Sequence, residues 1–126
     1  MRILIVDDSP MVRRFYRASM EGDDLVFEEA ANGLEALEKS LRRPFDLLLV
    51  DINMPLMDGF CFMREVRQRE ELCHTPAIII STEAEQQDVE GAFQAGANFY
   101  LTKPMRPEVL RVYARLLAKE EDHVGQ

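Results

Sequence analysis

Cysteine and histidine are scarce in this sequence, with two residues of each type. Cys61 and Cys73 have neither the spacing of a zinc-binding pair nor the number needed for a disulfide framework, so we expect reduced thiols. His74 follows Cys73 directly, but two adjacent side chains supply too few ligands for a zinc ion. The pattern therefore favours a chain without zinc or disulfide bonds.

Positive charge is also scarce. Fifteen Lys and Arg residues stand against 23 Asp and Glu residues, which gives a net charge of −8 and a pI near 4.8. This is the wrong sign for a surface that follows nucleic-acid phosphates. No apolar run approaches the roughly 18 residues of a membrane-spanning helix, and no signal-peptide pattern follows Met1. We expect a cytoplasmic protein with no direct contact to nucleic acid and no membrane insertion.

Internal repeats, low-complexity tracts and internal linkers are absent from the 126 residues. With 47% hydrophobic residues, the chain has enough apolar side chains for a single core. We predict one folded domain over residues 1–120 and a polar C-terminal tail over residues 121–126.

Short apolar runs alternate along the chain with segments of helical periodicity. The runs are predicted as strands at residues 2–6, 25–30, 47–50, 77–81 and 98–102. Helices are predicted at about residues 10–20 and 59–68, and at three further segments. These segments contain Leu34, Leu37 and Leu41; Val89, Ala92 and Phe93, ending near Gly96; and Val109, Leu110, Tyr113, Leu116 and Leu117, facing inward after Pro107. Five strands alternating with five helices predict an α/β fold with a doubly wound, five-stranded parallel sheet and helices on both faces.

Reactive or charged side chains lie at the carboxyl ends of four of the five predicted strands. Asp7 and Asp8 follow the first strand, Asp51 the third and Lys103 the fifth, while Ser81 ends the fourth. Taken singly, an aspartate here could cap a helix, the serine could be an ordinary strand-end hydroxyl, and the lysine could be solvated. The carboxyl ends of parallel strands meet at one sheet edge, however, and open α/β sheets bind their ligands there. The set therefore predicts a functional site.

Three neighbouring carboxylates repel each other, by about 1 kcal/mol per pair in water and about 4 kcal/mol at an effective dielectric of 20 for a 4 Å separation. A hard divalent cation removes this conflict, because oxygen ligands suit Mg²⁺. With Mg²⁺ and Lys103, the charges of Asp7, Asp8 and Asp51 are balanced. We therefore predict a magnesium site.

Asp51 closes the buried run LLLV and is a candidate nucleophile. An aspartate is already ionised near neutral pH, so it needs no general base, and aspartyl phosphate is an established covalent intermediate. No histidine is placed to assist, since His74 precedes the fourth strand and His123 lies in the tail. The metal, Lys103 and Ser81 supply the charge stabilisation that phosphoryl transfer requires.

Four segments together resemble the receiver domain of two-component response regulators, in its CheY-like form. They are ILIVDDSP, LLLVDINMPLMDGF, PAIIISTEAE and QAGANFYLTKP, and the resemblance covers essentially the whole chain. It implies a flavodoxin-like (βα)5 fold and a phosphoprotein switch rather than an enzyme. It also implies that Asp51 is the phosphoacceptor, that Ser81 bonds the phosphoryl oxygen and that Lys103 pairs with it. Mg²⁺ would bind Asp8, Asp51 and the main-chain carbonyl of Asn53 directly, and Asp7 through water.

The resemblance further implies a conformational switch and two kinds of partner. Lys103-Pro104 matches a step that is usually cis, and Tyr100 occupies the family's aromatic switch position. Phosphorylation would draw Ser81 inward, Tyr100 would follow, and the surface of the fourth helix, fifth strand and fifth helix would shift. The donor would be a sensor histidine kinase or phosphotransfer protein, and the reader a downstream protein, with chemotaxis as one candidate pathway.

The sequence departs from the family pattern at several positions. Thr82 stands where a small residue is usual, so we expect it to shield the phosphoryl group; an alternative one-residue shift would make Thr82 the switch hydroxyl. Met105 replaces a common aromatic, and Arg106 is a poor N-cap for the last helix. The fourth helix opens with acidic residues, which argues against a flagellar-motor surface.

Two alternative functions are consistent with parts of this pattern. A haloacid-dehalogenase-type phosphatase also uses a strand-end aspartate and Mg²⁺, but its usual second aspartate is replaced here by Asn53, and no cap-sized insertion is present. The chain could instead be the receiver of a longer regulator whose output domain lies elsewhere, because the final polar residues suit either a tail or a linker.

Overall fold

The computed structural model describes residues 1–20, 22, 24–83 and 85–124. Five parallel strands form one sheet in the order β2-β1-β3-β4-β5. The strands are β1 (Arg2–Val6), β2 (Val26–Ala30), β3 (Leu47–Val50), β4 (Ala77–Ser81) and β5 (Phe99–Thr102). The helices are α1 (Pro10–Ser19), α2 (Gly33–Arg42), α3 (Gly59–Gln68), α4 (Gln86–Ala95) and α5 (Pro107–Val124). The predicted doubly wound α/β fold is confirmed.

Side-chain alternation in the central strands separates two apolar cores. One core packs Leu48, Val50 and Ile79 against α2, α3 and α4. The other packs Leu47, Leu49 and the alternate β4 residues against α1 and α5. β3 and β4 are buried along their whole length, as expected for strands covered on both faces.

Polar residues in the loops at the carboxyl edge begin three of the helices. The side chains of Ser9, Asn32 and Asp58 accept hydrogen bonds from main-chain N–H groups in the first turns of α1, α2 and α3. Such caps satisfy donors that the helix leaves unpaired. The cap of α1 is thus Ser9, so Asp7 and Asp8 are not used for this purpose.

A close approach between α3 and β3 places the start of α3 directly beside Asp51. A Cβ atom on Gly59 would lie 2.3 Å from the Asp51 carbonyl oxygen and 2.9 Å from Ile52 Cα. Only glycine avoids a collision with these main-chain atoms. The residue type at position 59 therefore sets how tightly α3 closes on the loop after β3.

Several element boundaries and one side-chain orientation differ from the sequence predictions. β2 begins at Val26 and β5 at Phe99, each one residue later than predicted. The prediction that Leu116 faces inward was wrong, because this side chain is 48% exposed. The buried stripe of α5 contains Leu110, Ala114 and Leu117, which follow the i, i+4, i+7 spacing of one helix face.

The C-terminal helix extends into the segment that was predicted as a polar tail. α5 continues to Val124, so residues 121–124 are helical, and residues 125–126 lie outside the described part of the chain. Among the described helices, none combines the length and apolar character needed to cross a membrane. Cys61 and Cys73 are free thiols.

Candidate functional site

The three predicted acids meet at the carboxyl edge of the sheet. Asp7 and Asp8 follow β1 and Asp51 follows the neighbouring β3, and one carboxylate oxygen from each lies within 4.8 Å of the others. Asp7 and Asp51 are 1% and 9% exposed, whereas Asp8 is open to solvent. The cluster therefore has two buried members and one that faces the entrance.

Lys103 reaches into this cluster from the end of β5. Its Nζ lies 3.0 Å from Asp7 Oδ2 and 3.5 Å from Asp51 Oδ1. Its main-chain N–H donates to the Ser81 carbonyl at 2.8 Å, which continues the β4–β5 ladder by one residue. The Lys103–Pro104 peptide is cis, as the resemblance implied. One lysine therefore faces two buried acids, which leaves the site with excess negative charge.

The burial of the site and its excess negative charge raise the pKa of Asp51. Burial and the negative charge of Asp7 raise the pKa of Asp51 to about 6, and Lys103 opposes this shift only in part. An added positive charge would stabilise the ionised form of such a carboxylate. Three oxygen donors around excess negative charge are a suitable donor set for Mg²⁺. The residues present therefore fit a divalent cation.

Ser81 and Tyr100 are connected through Glu83, a residue that the sequence analysis did not select. Ser81 is fully buried, and its hydroxyl accepts a 3.1 Å hydrogen bond from the Glu83 N–H. The Tyr100 hydroxyl donates to the Glu83 carbonyl, and Asn53 Nδ2 donates to Glu83 Oε1 at 3.3 Å. The only sequence signal for Glu83 was an acid in the loop after β4. It contacts three residues that the resemblance had selected independently.

Tyr16 is a second residue that the sequence analysis did not place at the site. It lies on the buried face of α1 and is 4% exposed. Burial and the charges of Asp7 and Asp51 raise the pKa of its hydroxyl. Its spacing of four residues from Val12 and from Met20 was the available signal, because the three lie on one face of α1.

The other predicted site residues lie around the entrance. Thr82 and Pro104 are exposed and line one groove together with Lys103. This groove continues over the apolar residues Met11 and Phe15 of α1 and has a volume of about 520 Å³. Ser81 is buried and Thr82 is exposed, so the two adjacent hydroxyls have different environments.

An open parallel sheet with acids, a buried hydroxyl and a lysine at its carboxyl edge defines the class of this protein: a flavodoxin-like α/β domain with an acidic site. The model of the response regulator receiver domain matches residues 3–115. The chain belongs to this family of two-component signalling domains, so the predicted family is confirmed.

Curated relatives include proteins of two different lengths. The chain is 39% identical over 114 residues to chemotaxis protein CheY-3 of Vibrio cholerae, which covers 88% of this chain and 86% of that protein. It is 38% identical over 117 residues to transcriptional regulatory protein ResD of Bacillus subtilis, which covers 91% of this chain and 48% of that protein. The chain therefore spans about half the length of ResD and most of the length of CheY-3.

Solved structures of similar proteins agree with the fold. CheY4 of Vibrio cholerae superimposes with a TM-score of 0.85 at 33% identity, covering 92% of this chain and 97% of that one. A putative response regulator from Chloroflexus aurantiacus gives a TM-score of 0.89 at 29% identity, covering 94% and 97%. These similarities identify a receiver domain, which is a signalling switch rather than a metabolic enzyme.

Proposed function

We propose that this chain is a Mg²⁺-dependent phosphoacceptor switch. Asp51 accepts a phosphoryl group from a phosphohistidine on a sensor kinase or phosphotransfer protein. The α4-β5-α5 surface then changes and controls a downstream protein. The observation that carries the proposal is the approach of Lys103 Nζ to within 3.5 Å of Asp51 Oδ1, inside a cluster of three carboxylates.

The proposed metal ligands are the carboxylates of Asp8 and Asp51, the main-chain carbonyl of Asn53, and Asp7 through water. Mg²⁺ would neutralise the excess negative charge of the cluster, so that an incoming phosphoryl group does not meet a negatively charged site. The raised pKa of Asp51 supports this assignment, because an added cation favours the ionised form that acts as the nucleophile. Asp8 is the exposed member, which leaves the entrance side open for a ligand.

The proposed chemistry is an in-line phosphoryl transfer. A carboxylate oxygen of Asp51 attacks phosphorus and forms a P–O bond, while the P–N bond breaks and its electron pair returns to the imidazole of the donor. Lys103 stabilises the charge on the transferred oxygens. Ser81 accepts from Glu83 through a lone pair, so its hydroxyl hydrogen remains available for a phosphoryl oxygen.

The proposed signal passes from the phosphoryl group to the surface through Ser81, Glu83 and Tyr100. If Ser81 moves towards the phosphoryl group, its hydrogen bond with Glu83 moves the loop to which the Tyr100 hydroxyl is also bonded. Tyr100 lies on β5 beside α4, at the edge of the proposed output surface. These contacts would connect the phosphorylation site to the proposed output surface, as a switch between two conformations requires.

Intact mass after incubation with acetyl phosphate tests the proposed function. Wild type should gain a single phosphoryl group with Mg²⁺ and none with EDTA, whereas Asp51→Asn should gain none. Asp46→Asn is the matched control, since Asp46 is an exposed aspartate just before β3, at the opposite end of that strand. Modification of Asp51→Asn at the wild-type level would contradict the assignment of the phosphoacceptor.

The relatives of this chain support two alternative settings for such a switch. A chemotaxis protein is matched over most of its length, and a transcriptional regulator over about half. In the second setting the chain would be the receiver of a longer regulator, with nucleic acid bound by another domain. The length of the full open reading frame distinguishes these settings. In both, we place the domain in the cytoplasm without membrane insertion.

The phosphatase alternative has less support at the site. Asn53 occupies the position of the second acid, and its amide donates to Glu83 rather than carrying a transferable proton. Hydrolysis of a simple phosphate ester by wild type but not by Asp51→Asn would favour this alternative.

A further inference from the structure

Arg13 on α1 makes a contact at the acidic site that the proposed function does not use. Its Nη1 donates a 2.6 Å hydrogen bond to the main-chain carbonyl of Asp7, and its Nε donates at 2.8 Å to Glu29 Oε1 on β2. The side chain is only 15% exposed. Glu29 holds the guanidinium at Nε, and Nη1 is directed at the loop after β1.

The Asp7 carbonyl belongs to the peptide that joins the two N-terminal acids. Asp7 is otherwise fixed by its main-chain N–H on Ala30, by Ser9 on one carboxylate oxygen and by Lys103 on the other. Asp8 follows this peptide, and its side chain is exposed. The hydrogen bond from Arg13 restrains the tilt of the peptide plane from which Asp8 extends.

The geometry points to Arg13 as a positioning residue that orients the Asp7–Asp8 peptide, and with it the Asp8 carboxylate, for a divalent cation. This inference rests on the proposed Mg²⁺ site. Among the contacts of the described residues, Arg13 donates to no carboxylate oxygen of the Asp7, Asp8 and Asp51 cluster. It acts through the main chain, and Glu29 in turn fixes Arg13.

The sign of the expected effect separates positioning from simple electrostatics. Arg13 carries a positive charge beside a cluster of acids, so charge alone predicts that its removal strengthens cation binding. Loss of the hydrogen bond to Asp7 predicts the opposite, because a mobile Asp8 must be ordered when the cation binds. A weaker affinity in Arg13→Ala therefore identifies the geometric role.

Arg17 provides a matched control on the same helix. Its Nη2 pairs with the other carboxylate oxygen of Glu29 at 2.9 Å, but it makes no bond to Asp7 among the contacts of the described residues. Arg17→Ala and Arg13→Ala each remove one arginine and one ion pair with Glu29. Only Arg13→Ala releases the Asp7 carbonyl.

Amide NMR titration with MgCl₂ on wild type, Arg13→Ala, Arg13→Lys and Arg17→Ala tests the inference. We expect Arg13→Ala to bind Mg²⁺ roughly tenfold more weakly, as is typical when a residue behind a metal ligand is removed. Arg13→Lys keeps the charge but cannot reach Asp7 and Glu29 together, so it should also bind more weakly. Arg17→Ala should stay within about twofold of wild type.

The free energy of unfolding in EDTA, measured with urea, completes the test. A merely structural role predicts that Arg13→Ala and Arg17→Ala lose stability with no change in Mg²⁺ affinity. Wild-type affinity in both Arg13 variants would overturn the inference while leaving the proposed function intact. No Mg²⁺ binding by wild type would overturn both. If Arg13→Ala does not fold, Arg13→Lys against wild type decides by the same criterion.

Discussion

The two edges of the sheet each hold a partly buried cation, but they use it in different ways. At the amino edge, Arg67 donates to the carbonyls of Gly96, Cys73 and Thr75 and to Asn98 Oδ1. At the carboxyl edge, Lys103 faces two buried acids and a third close by. Among the described residues, the hydrogen-bond acceptors of the first cation are all neutral. The second lies in a cluster whose negative charge exceeds what the chain supplies to balance it.

Arg67 and the Asp51 site differ in how the charge of the buried group is balanced. Arg67 ties the ends of α3 and α4 to the segments before β4 and β5 through four hydrogen bonds within the chain, although burial lowers the pKa of its guanidinium. The Asp51 site instead brings like charges together, and burial and the charge of Asp7 raise the pKa of Asp51. A buried polar group that the chain does not balance is a better guide to a binding site than a buried polar group as such.

Breaking the amino edge should give the largest loss of stability. Arg67→Met removes four donated hydrogen bonds and takes this donor away from the carbonyls of Gly96, Cys73 and Thr75. We therefore expect a loss of about 3 kcal/mol in the free energy of unfolding. Mg²⁺ affinity should not change. Arg64→Met, an exposed arginine on the same helix, is the matched control and should cost less than about 0.5 kcal/mol. Urea unfolding in EDTA measures both variants, and equal losses would contradict the comparison.

Breaking the carboxyl edge through the main chain should have the next largest effect. In Gly59→Ala the new Cβ meets main-chain atoms of Asp51 and Ile52 that cannot move independently, so a loss of about 1 to 3 kcal/mol is expected. The displacement of Asp51 should also reduce phosphorylation by acetyl phosphate.

Gly91→Ala is the matched control for this glycine substitution. Gly91 lies within α4, and its Cβ would lie 3.6 Å from the Phe60 ring of α3, an ordinary van der Waals contact. Alanine is the better helix former, so Gly91→Ala should gain about 0.5 to 1 kcal/mol. Losses of similar size in both variants would show that the contact at Gly59 is not special.

Removing the charge conflict should stabilise the metal-free protein. The folded-state pKa of Asp51 is raised to about 6, so its contribution to stability is present at low pH and is lost as the pH rises through 6. Asp51→Asn lacks this loss. In EDTA at pH 7 it should exceed wild type by about 1 to 2 kcal/mol, less than the full shift because water at the entrance screens the charge.

Measuring the free energy of unfolding of both proteins from pH 4 to pH 8 provides the control. The difference between Asp51→Asn and wild type should be small near pH 4, increase through pH 6 and then become constant. With Mg²⁺ the difference should shrink, because only wild type is stabilised by the cation. A difference that does not depend on pH would show that packing, rather than charge, separates the two proteins.

The smallest expected effect concerns the lifetime of the phosphorylated state. The side chain of Thr82 is exposed beside Lys103, where it can shield a phosphoryl group on Asp51 from water. Thr82→Ala should therefore lose its phosphoryl group roughly three- to tenfold faster, which corresponds to about 1 kcal/mol of barrier. Quenched samples analysed by intact mass give the rates, and equal or slower loss in Thr82→Ala would refute the shielding role.

The sequence predicted the parts of the site that depend on topology. Asp7 and Asp51 follow buried strands, Ser81 ends another, and Lys103 follows the partly exposed β5. In a parallel sheet such positions converge whatever their separation along the chain. Topology predicted a doubly wound sheet but not the order of its strands, and the predicted starts of β2 and β5 were each one residue too early. At position 98 the main-chain N–H donates to the Ala77 carbonyl at 2.9 Å, and the Asn98 side-chain oxygen accepts from the Ala77 N–H at 2.8 Å.

The rest of the site could not be read from residue types. Glu83 is an ordinary loop acid by sequence, and two of its three contacts use its main chain, which carries no sequence signal. Arg13 resembles its neighbour Arg14 until the direction of each side chain on α1 is known. The apolar residues of α5 occupy more than one face, and only packing against the sheet shows that Leu117 is buried and Leu116 exposed.

The arrangement at Glu83 has a consequence for how such proteins diverge. The bonds that join Ser81 to Tyr100 use the N–H and the carbonyl of residue 83, which every amino acid except proline provides. The side chain, which alone reaches Asn53 at the entrance, is therefore free to change without cutting the connection behind it. Substitutions at position 83 can therefore change the side chain at the entrance of the site, while the main-chain hydrogen bonds to Ser81 and Tyr100 are kept.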